Sequence, residues 1–231
     1  MSGDSGAGHP LVAAVLASGG GTNLQALLDH RPAAPCWRIG LVVADRDGIG
    51  ALERARRAGV PTRVVTTRGR APADVAAETL AALDEHGVQV LFLAGYVKLV
   101  PPEVVARFRR RILNIHPALL PGFGGKGMWG HHVHEAVLAS GARLSGPTVH
   151  FVDEEYDRGS IVAQWPLPVL PGDTPESLAA RVLQAEHRLY PLAADHVCQA
   201  VAEGREPGPM ALPREAYALA PSLPGVGTVI P

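Results

Sequence analysis

The feature that most constrains this chain is the alternation of unbroken apolar segments with segments of helical spacing. Leu11 to Ala17 is apolar throughout, Ser18-Gly-Gly-Gly-Thr-Asn23 follows, and Leu24 to His30 has helical character. The unit repeats. Ile39 to Ala44 precedes a helical Ala51 to Ala58 stopped by Gly59, and Thr62 to Thr66 precedes Ala73 to His86 stopped by Gly87. Val88 to Ala94 is again apolar, and Pro102 to Arg109 reads as a short helix before a strand at Arg111 to Ile115. Strands that are apolar on both faces must be covered on both faces, and helices between them supply parallel crossovers. The predicted fold class is α/β, a doubly wound, mostly parallel, Rossmann-like sheet.

The second half changes pattern. After a glycine-rich loop at 122–130 and a helix at His132 to Ser140, Pro147 to Val152 and Ser160 to Val169 alternate as half-buried strands do. They bracket the polar Asp153-Glu-Glu-Tyr-Asp-Arg-Gly159, which predicts antiparallel strands extending the sheet. Thr174 to Cys198 predicts a long helix with an interruption at Pro191, capped by Asp173 or Thr174 with Glu176 closing a capping box. Proline and glycine are dense from Glu206 onward. The expected organisation is a flexible start at 1–10, one domain at 11–205, and an irregular tail at 206–231.

Lys and Arg number 21 against 22 Asp and Glu, which argues against a surface built for nucleic acid; any phosphate recognition must be local. Cys36 and Cys198 lack metal or redox spacing and read as thiols of a reducing compartment. MSGDSGAGHP carries no basic n-region, and Leu11 to Ala17 is too short to span a membrane, so the expectation is a cytoplasmic protein with no membrane partner.

The turn Ser18 to Asn23, including Gly20, Gly21 and Thr22, lies between a buried strand and a helix start. Its backbone N–H groups and the helix dipole suit a phosphate without a lysine. A dinucleotide fingerprint needs glycine where Leu24 stands, and no Gly-Lys-Ser/Thr follows as a P-loop requires. In Leu113-Asn-Ile-His-Pro-Ala-Leu-Leu-Pro121, Asn114 and His116 are two apart and so share a strand face, and Pro117 ends the strand beside His116. An amide there can donate to a developing oxyanion and an imidazole can move a proton near neutral pH. Asp157 is a candidate to orient that imidazole, in competition with Asp153, Glu154 and Glu155. His131, His132 and His134 beside Glu135 lack the i, i+4 pairing of a zinc helix, so no metal is expected.

Taken together, Ser18–Asn23, Leu93-Ala-Gly-Tyr96, Asn114–Pro121, Val149-His-Phe-Val152 and Asp157-Arg-Gly159 resemble the folate-dependent phosphoribosylglycinamide formyltransferase family over about residues 11–205. The resemblance implies formyl transfer from 10-formyltetrahydrofolate, as co-substrate, to the amine of 5-phosphoribosylglycinamide in purine biosynthesis. It implies that Gly21, Thr22 and Asn23 bind the substrate phosphate with Gly20, and that Asn114 and His116 flank the formyl carbon with Asp157 assisting. It further implies support from His150, an acceptor contact from Glu186, and a pterin pocket along Tyr96, Val97, Lys98, Leu99 and Val100 with Asp153. Arg70 corresponds to a basic contact for the folate tail. The chain departs from the pattern at Gly122–Gly130, where many relatives carry a shorter, proline-containing turn.

Two related readings share the Asn-x-His core, but the tRNA-directed formyltransferase adds a C-terminal barrel and the formyltetrahydrofolate hydrolase an N-terminal regulatory domain. A binding module that leaves Asn114 and His116 idle is a third. The partners expected are small molecules, in a monomer or homodimer.

Overall fold

The computed structural model describes residues 9–212. Its main sheet has seven strands. They are β1 (Leu11–Ala17), β2 (Trp37–Ala44), β3 (Thr62–Val64), β4 (Val90–Leu93), β5 (Ile112–His116), β7 (Thr148–Phe151) and β8 (Ile161–Gln164), in the spatial order β3-β2-β1-β4-β5-β7-β8. The first five run parallel, and β7 and β8 are added antiparallel. A two-stranded ribbon pairs β6 (Leu144–Ser145) with β9 (Leu167–Pro168).

Helices cover both faces because the parallel strands are apolar on both. Ala13, Val15 and Ala17 of β1 pack with Leu24 and Leu27 of α1 (Thr22–Asp29), Ala51, Leu52 and Ala55 of α2 (Gly50–Arg57), and Leu189 and Tyr190 of α6 (Pro175–Ala202). The alternate residues Ala14 and Leu16 meet Val75 and Leu83 of α3 (Pro72–Glu85) and Val104 and Val105 of α4 (Pro102–Arg107). A third cluster joins α5 (His131–Ala139) to the start of α6 through Val133, Val137, Leu178 and Val182.

Three local expectations are corrected. Ser160 to Val169 is not one strand but β8 and β9, which lie in different sheets; Pro166 between them has no N–H to offer a ladder. The cap of α6 is Thr174, and the box is closed by Ser177, because Pro175 and Glu176 occupy the first two helical positions and Ser177 the third. Nor does Pro191 interrupt α6. The helix continues because Leu189, Tyr190, Ala193, Ala194 and Val197 are buried around that ring, an apolar seam that offsets the missing backbone bond.

Residues 206–212 form no helix or strand but lie on the domain. Arg110 reaches Glu206 at 2.7 Å and the Pro207 carbonyl at 2.7 Å, and the Met210 N–H donates to Val162 on β8 at 2.8 Å. The expected flexible start and the rest of the expected tail, 1–8 and 213–231, lie outside the described residues.

Candidate active site

The chain winds outward from β1 through β2 to β3 and then crosses back to β4 on the other side of β1, so the strand order reverses between β1 and β4. At such a switch the loops leaving the carboxyl ends part and open a crevice. Ser18–Gly21 leaves β1, Ala94–Val100 leaves β4, and β5 ends at His116.

The antiparallel register of β5 and β7 assembles the polar centre. Asn114 lies opposite His150 and His116 opposite Thr148, so all four share one face of the sheet. Asn114 Nδ2 donates to His150 Nε2 at 3.0 Å, while His150 Nδ1 donates to the Phe151 carbonyl at 2.8 Å. Asp157, at φ 56°, turns its carboxylate between the two imidazoles. Oδ2 is 3.6 Å from His116 Nδ1, and Oδ1 is 3.5 Å from His150 Nε2.

The glycine-rich loop closes this group from outside. His116 Nε2 donates to the Phe123 carbonyl at 2.8 Å, and the Gly125 N–H donates to Asp157 Oδ2 at 2.8 Å. A Cβ on Gly124 would sit 2.6 Å from Leu120 Cδ2 and 3.1 Å from Asp157 Cβ, so glycine is what lets the loop come this close. A carbonyl can only accept, so the His116 proton resides on Nε2 and Nδ1 faces the carboxylate.

Burial pushes the His116 imidazole below its ordinary value, His150 adds to the depression, and Asp157 and the Phe123 carbonyl oppose it. A neutral ring that can accept a proton is the result. For Asp157, burial pushes the carboxyl upward, but the adjacent His150 and His116 rings and the Gly125 amide together hold it below the usual range. The pair therefore stands as a neutral imidazole beside a carboxylate. A proton arriving at His116 Nδ1 would be stabilised by the adjacent charge.

At the β1 turn, Gly21 adopts φ 73° as the N-cap of α1, and a Cβ there would lie 2.7 Å from Ala51 Cα. No side chain caps α1, so its first N–H groups are free to meet an anion. Asn23 Nδ2 donates to Glu186 Oε2 at 2.6 Å, and Asn23 Oδ1 is buried without a partner. Burial raises the Glu186 carboxyl, and the Asn23 hydrogen bond only partly counters it. A buried acid beside an unpaired amide oxygen is suited to a ligand that brings its own donors.

Tyr96 follows β4, packs on the same buried cluster as Val152, and has its phenol pushed up to about 12 by burial, Asp45 and Tyr156. The Val97 N–H donates to Ser18 Oγ at 3.2 Å, while Lys98 and Leu99 are exposed and Val100 is buried. Asp153 opens the acidic turn and accepts from the Glu155 N–H at 3.0 Å. Arg70 is held by Glu78 and, at 3.3 Å, by the Thr66 carbonyl. Among the described residues no contact ties it to the His116 centre.

His131 pairs with Glu135 and Glu176, each at 3.4 Å, on an exposed helix start. Among the described residues no group of three or more His, Cys, Asp or Glu side chains is gathered to hold a metal ion. No helix there is long and apolar enough to cross a membrane.

Sequence reading missed two groups that shape the centre. Thr148 Oγ1 donates to the Ala118 carbonyl at 2.7 Å and accepts from the Leu120 N–H at 3.0 Å, and Gln164 Nε2 donates to that oxygen at 3.0 Å. They pin the turn after His116. The Tyr190 hydroxyl lies 3.0 Å from both the Leu93 and Leu113 carbonyls and ties the end of β4 to the first half of β5. The i, i+2 relation of Thr148 to His150 was the one available signal, since it puts both on one strand face.

The Formyl transferase family model matches residues 12–194. A protein of Arabidopsis thaliana named phosphoribosylglycinamide formyltransferase, chloroplastic, is 46% identical over 198 residues, covering 84% of this chain and 68% of its own length. The trifunctional purine biosynthetic protein adenosine-3 of Gallus gallus is 41% identical over 199 residues, which cover 84% of this chain but only 19% of that protein. Glycinamide ribonucleotide transformylase 1 of Symbiobacterium toebii superposes with a TM-score of 0.77 at 40% identity, over 84% of this chain and 90% of that one. The phosphoribosylglycinamide formyltransferase of Brucella melitensis gives 0.74 at 42% identity, over 82% and 96%.

Proposed function

Because this chain belongs to the Formyl transferase family, among its phosphoribosylglycinamide formyltransferases, we propose that it moves the formyl group of 10-formyltetrahydrofolate onto the amine of 5-phosphoribosylglycinamide with Asn114, His116 and Asp157 at the reacting centre. It is a transferase of de novo purine biosynthesis that takes small-molecule substrates. The observation that carries the residue assignment is the register of β5 against β7, which gathers Asn114, His116 and His150 around Asp157.

Attack of a neutral amine on the formyl carbon makes a tetrahedral centre with an oxyanion and an ammonium. The Asn114 amide donates to that oxyanion and stabilises charge that exists only near the transition state. His116 accepts the ammonium proton beside Asp157 and returns one to the departing folate nitrogen, so proton and leaving group balance. The uncapped α1 N-terminus with Gly20, Gly21, Thr22 and Asn23 takes the phosphate, and Glu186 takes the glycinamide end. Tyr96–Val100 and Asp153 line the pterin side, a reading supported by the packing of Tyr96 and Val152 on one cluster. Arg70 is proposed to face the folate tail once released from Glu78.

The free thiols Cys36 and Cys198 support a cytoplasmic setting. An Asn114→Ala variant tests the assignment. Turnover should fall about 10²- to 10³-fold, the range for one oxyanion donor, while binding of the phosphorylated acceptor by calorimetry is kept. Normal turnover in this variant would remove Asn114 from the chemistry.

A further inference from the structure

The turn assigned to the substrate phosphate does not stand alone, because α2 is built against its back. The Ala51 N–H donates to the Gly19 carbonyl at 3.1 Å, and a Cβ on Gly50 would lie 2.9 Å from the Gly20 oxygen. From the next turn of α2, Arg54 Nε donates to the Gly20 carbonyl at 2.8 Å and Nη1 to Gln25 Oε1 at 3.1 Å. One guanidinium thus grips the turn before α1 and the first turn of α1 itself. This side chain is absent from the sequence-based site, since it lies 31 residues beyond Asn23 on a helix that carries no motif.

Arg54 also lines a groove of about 770 Å³ between α1 and α6, with Thr22, Gln25, His187 and Arg188 around it. His187 Nε2 is buried there without a partner. Burial and the Arg54 charge hold the His187 imidazole below its ordinary value, so the positive charge of this wall rests on Arg54 and Arg188.

We propose that Arg54 is a positioning residue for the acceptor's phosphate: its guanidinium pins the Gly20 carbonyl toward α2, keeps that oxygen from facing the anion, and adds fixed positive charge behind the α1 amides. The inference rests on the phosphate assignment made above. The physical basis is direct. A carbonyl dipole turned into the turn would repel a dianion, whereas a carbonyl held outward leaves the N–H groups facing it. Arginine suits the task because its planar fork serves two acceptors at once, which a lysine ammonium does with less geometric control.

The test compares Arg54→Met and Arg54→Lys with the parent enzyme, using the phosphorylated acceptor and its dephosphorylated riboside. Arg54→Met should raise KM for the phosphorylated acceptor about tenfold to a hundredfold, the span of a charge-assisted hydrogen bond, with kcat and the folate KM unchanged. Arg54→Lys should recover part of that loss. With the riboside, kcat/KM should be the same for the parent and Arg54→Met.

Equal losses with both acceptors would make Arg54 a structural residue and overturn the inference, as would an unchanged KM. A second readout does not depend on turnover: thermal stabilisation by inorganic phosphate, which Arg54→Met should abolish. Full stabilisation of Arg54→Met by phosphate overturns the inference whatever the activity. Loss of it in a protein whose parent transfers no formyl group would uphold the phosphate site and overturn the reaction instead.

Discussion

Replacing Asp157 by Asn isolates the charge of the carboxylate from its shape. Asn tolerates the φ of 56° at this position and keeps an oxygen to accept the Gly125 N–H, so the turn and the glycine loop should persist. What is lost is the attraction between the carboxylate and a protonated His116, whose Nδ1 is 3.6 Å away. At that separation a unit charge pair is worth about 4.6 kcal/mol for an effective dielectric of about 20 and about 2.3 kcal/mol for about 40, a range suited to a site at the mouth of a cleft. If the imidazolium forms only on the way to the transition state, kcat should fall between about 50-fold and about 2,000-fold.

KM for both substrates should move little, because in the resting site His116 is neutral and no bound ligand depends on that charge. The pH profile carries a second signature. Asp157 pulls the His116 imidazole upward against burial, so its removal should shift the acidic limb of kcat toward lower pH. The assay is steady-state formyl transfer across the pH range at saturating substrates. Activity within a few-fold of the parent near neutral pH, with an unmoved acidic limb, would refute the pairing as the source of proton control.

Two further variants probe the phosphate and amine ends. Asn23→Ala should raise KM for the phosphorylated acceptor about tenfold with little change in kcat, because it removes a donor at the turn and the partner of Glu186; steady-state kinetics with an unchanged KM would count against the turn. Glu186→Gln should weaken the acceptor by a similar factor of about ten yet raise the Tm of the free protein. The sign follows from linkage. The Glu186 carboxyl is raised in the folded state, so between its unfolded and folded values the native state holds more protons and stability declines as pH rises, leaving a penalty at neutral pH that Gln removes. A lower Tm by scanning calorimetry at neutral pH would show that Glu186 is not held against its charge.

The parallel core was legible because β1 and β4 are apolar on both faces and α2 and α3 each stop at a glycine, Gly59 and Gly87, whereas the short edge strand β3, Thr-Arg-Val, carries little apolar signal of its own. The Asn114–His116 pair was legible from spacing, since two residues on one strand always share a face. What sequence could not supply was register. His150 meets Asn114 only because β7 pairs antiparallel to β5 with those residues opposite, and a slip of one residue would turn His150 to the other face. Asp157 could not be separated from Asp153, Glu154 and Glu155 by local pattern, because its distinction is a left-handed backbone that swings its carboxylate inward. Pro191 misled for a related reason, as a local rule about proline yields to the burial of a whole helix face.

The most direct measurement follows consumption of 10-formyltetrahydrofolate with and without phosphoribosylglycinamide, with mass analysis of the acceptor. The expected result is consumption that requires the glycinamide and adds one formyl group to its amine. Consumption without the glycinamide, with release of formate, would instead make the centre hydrolytic, and an acceptor that gains no formyl group would contradict the transfer itself.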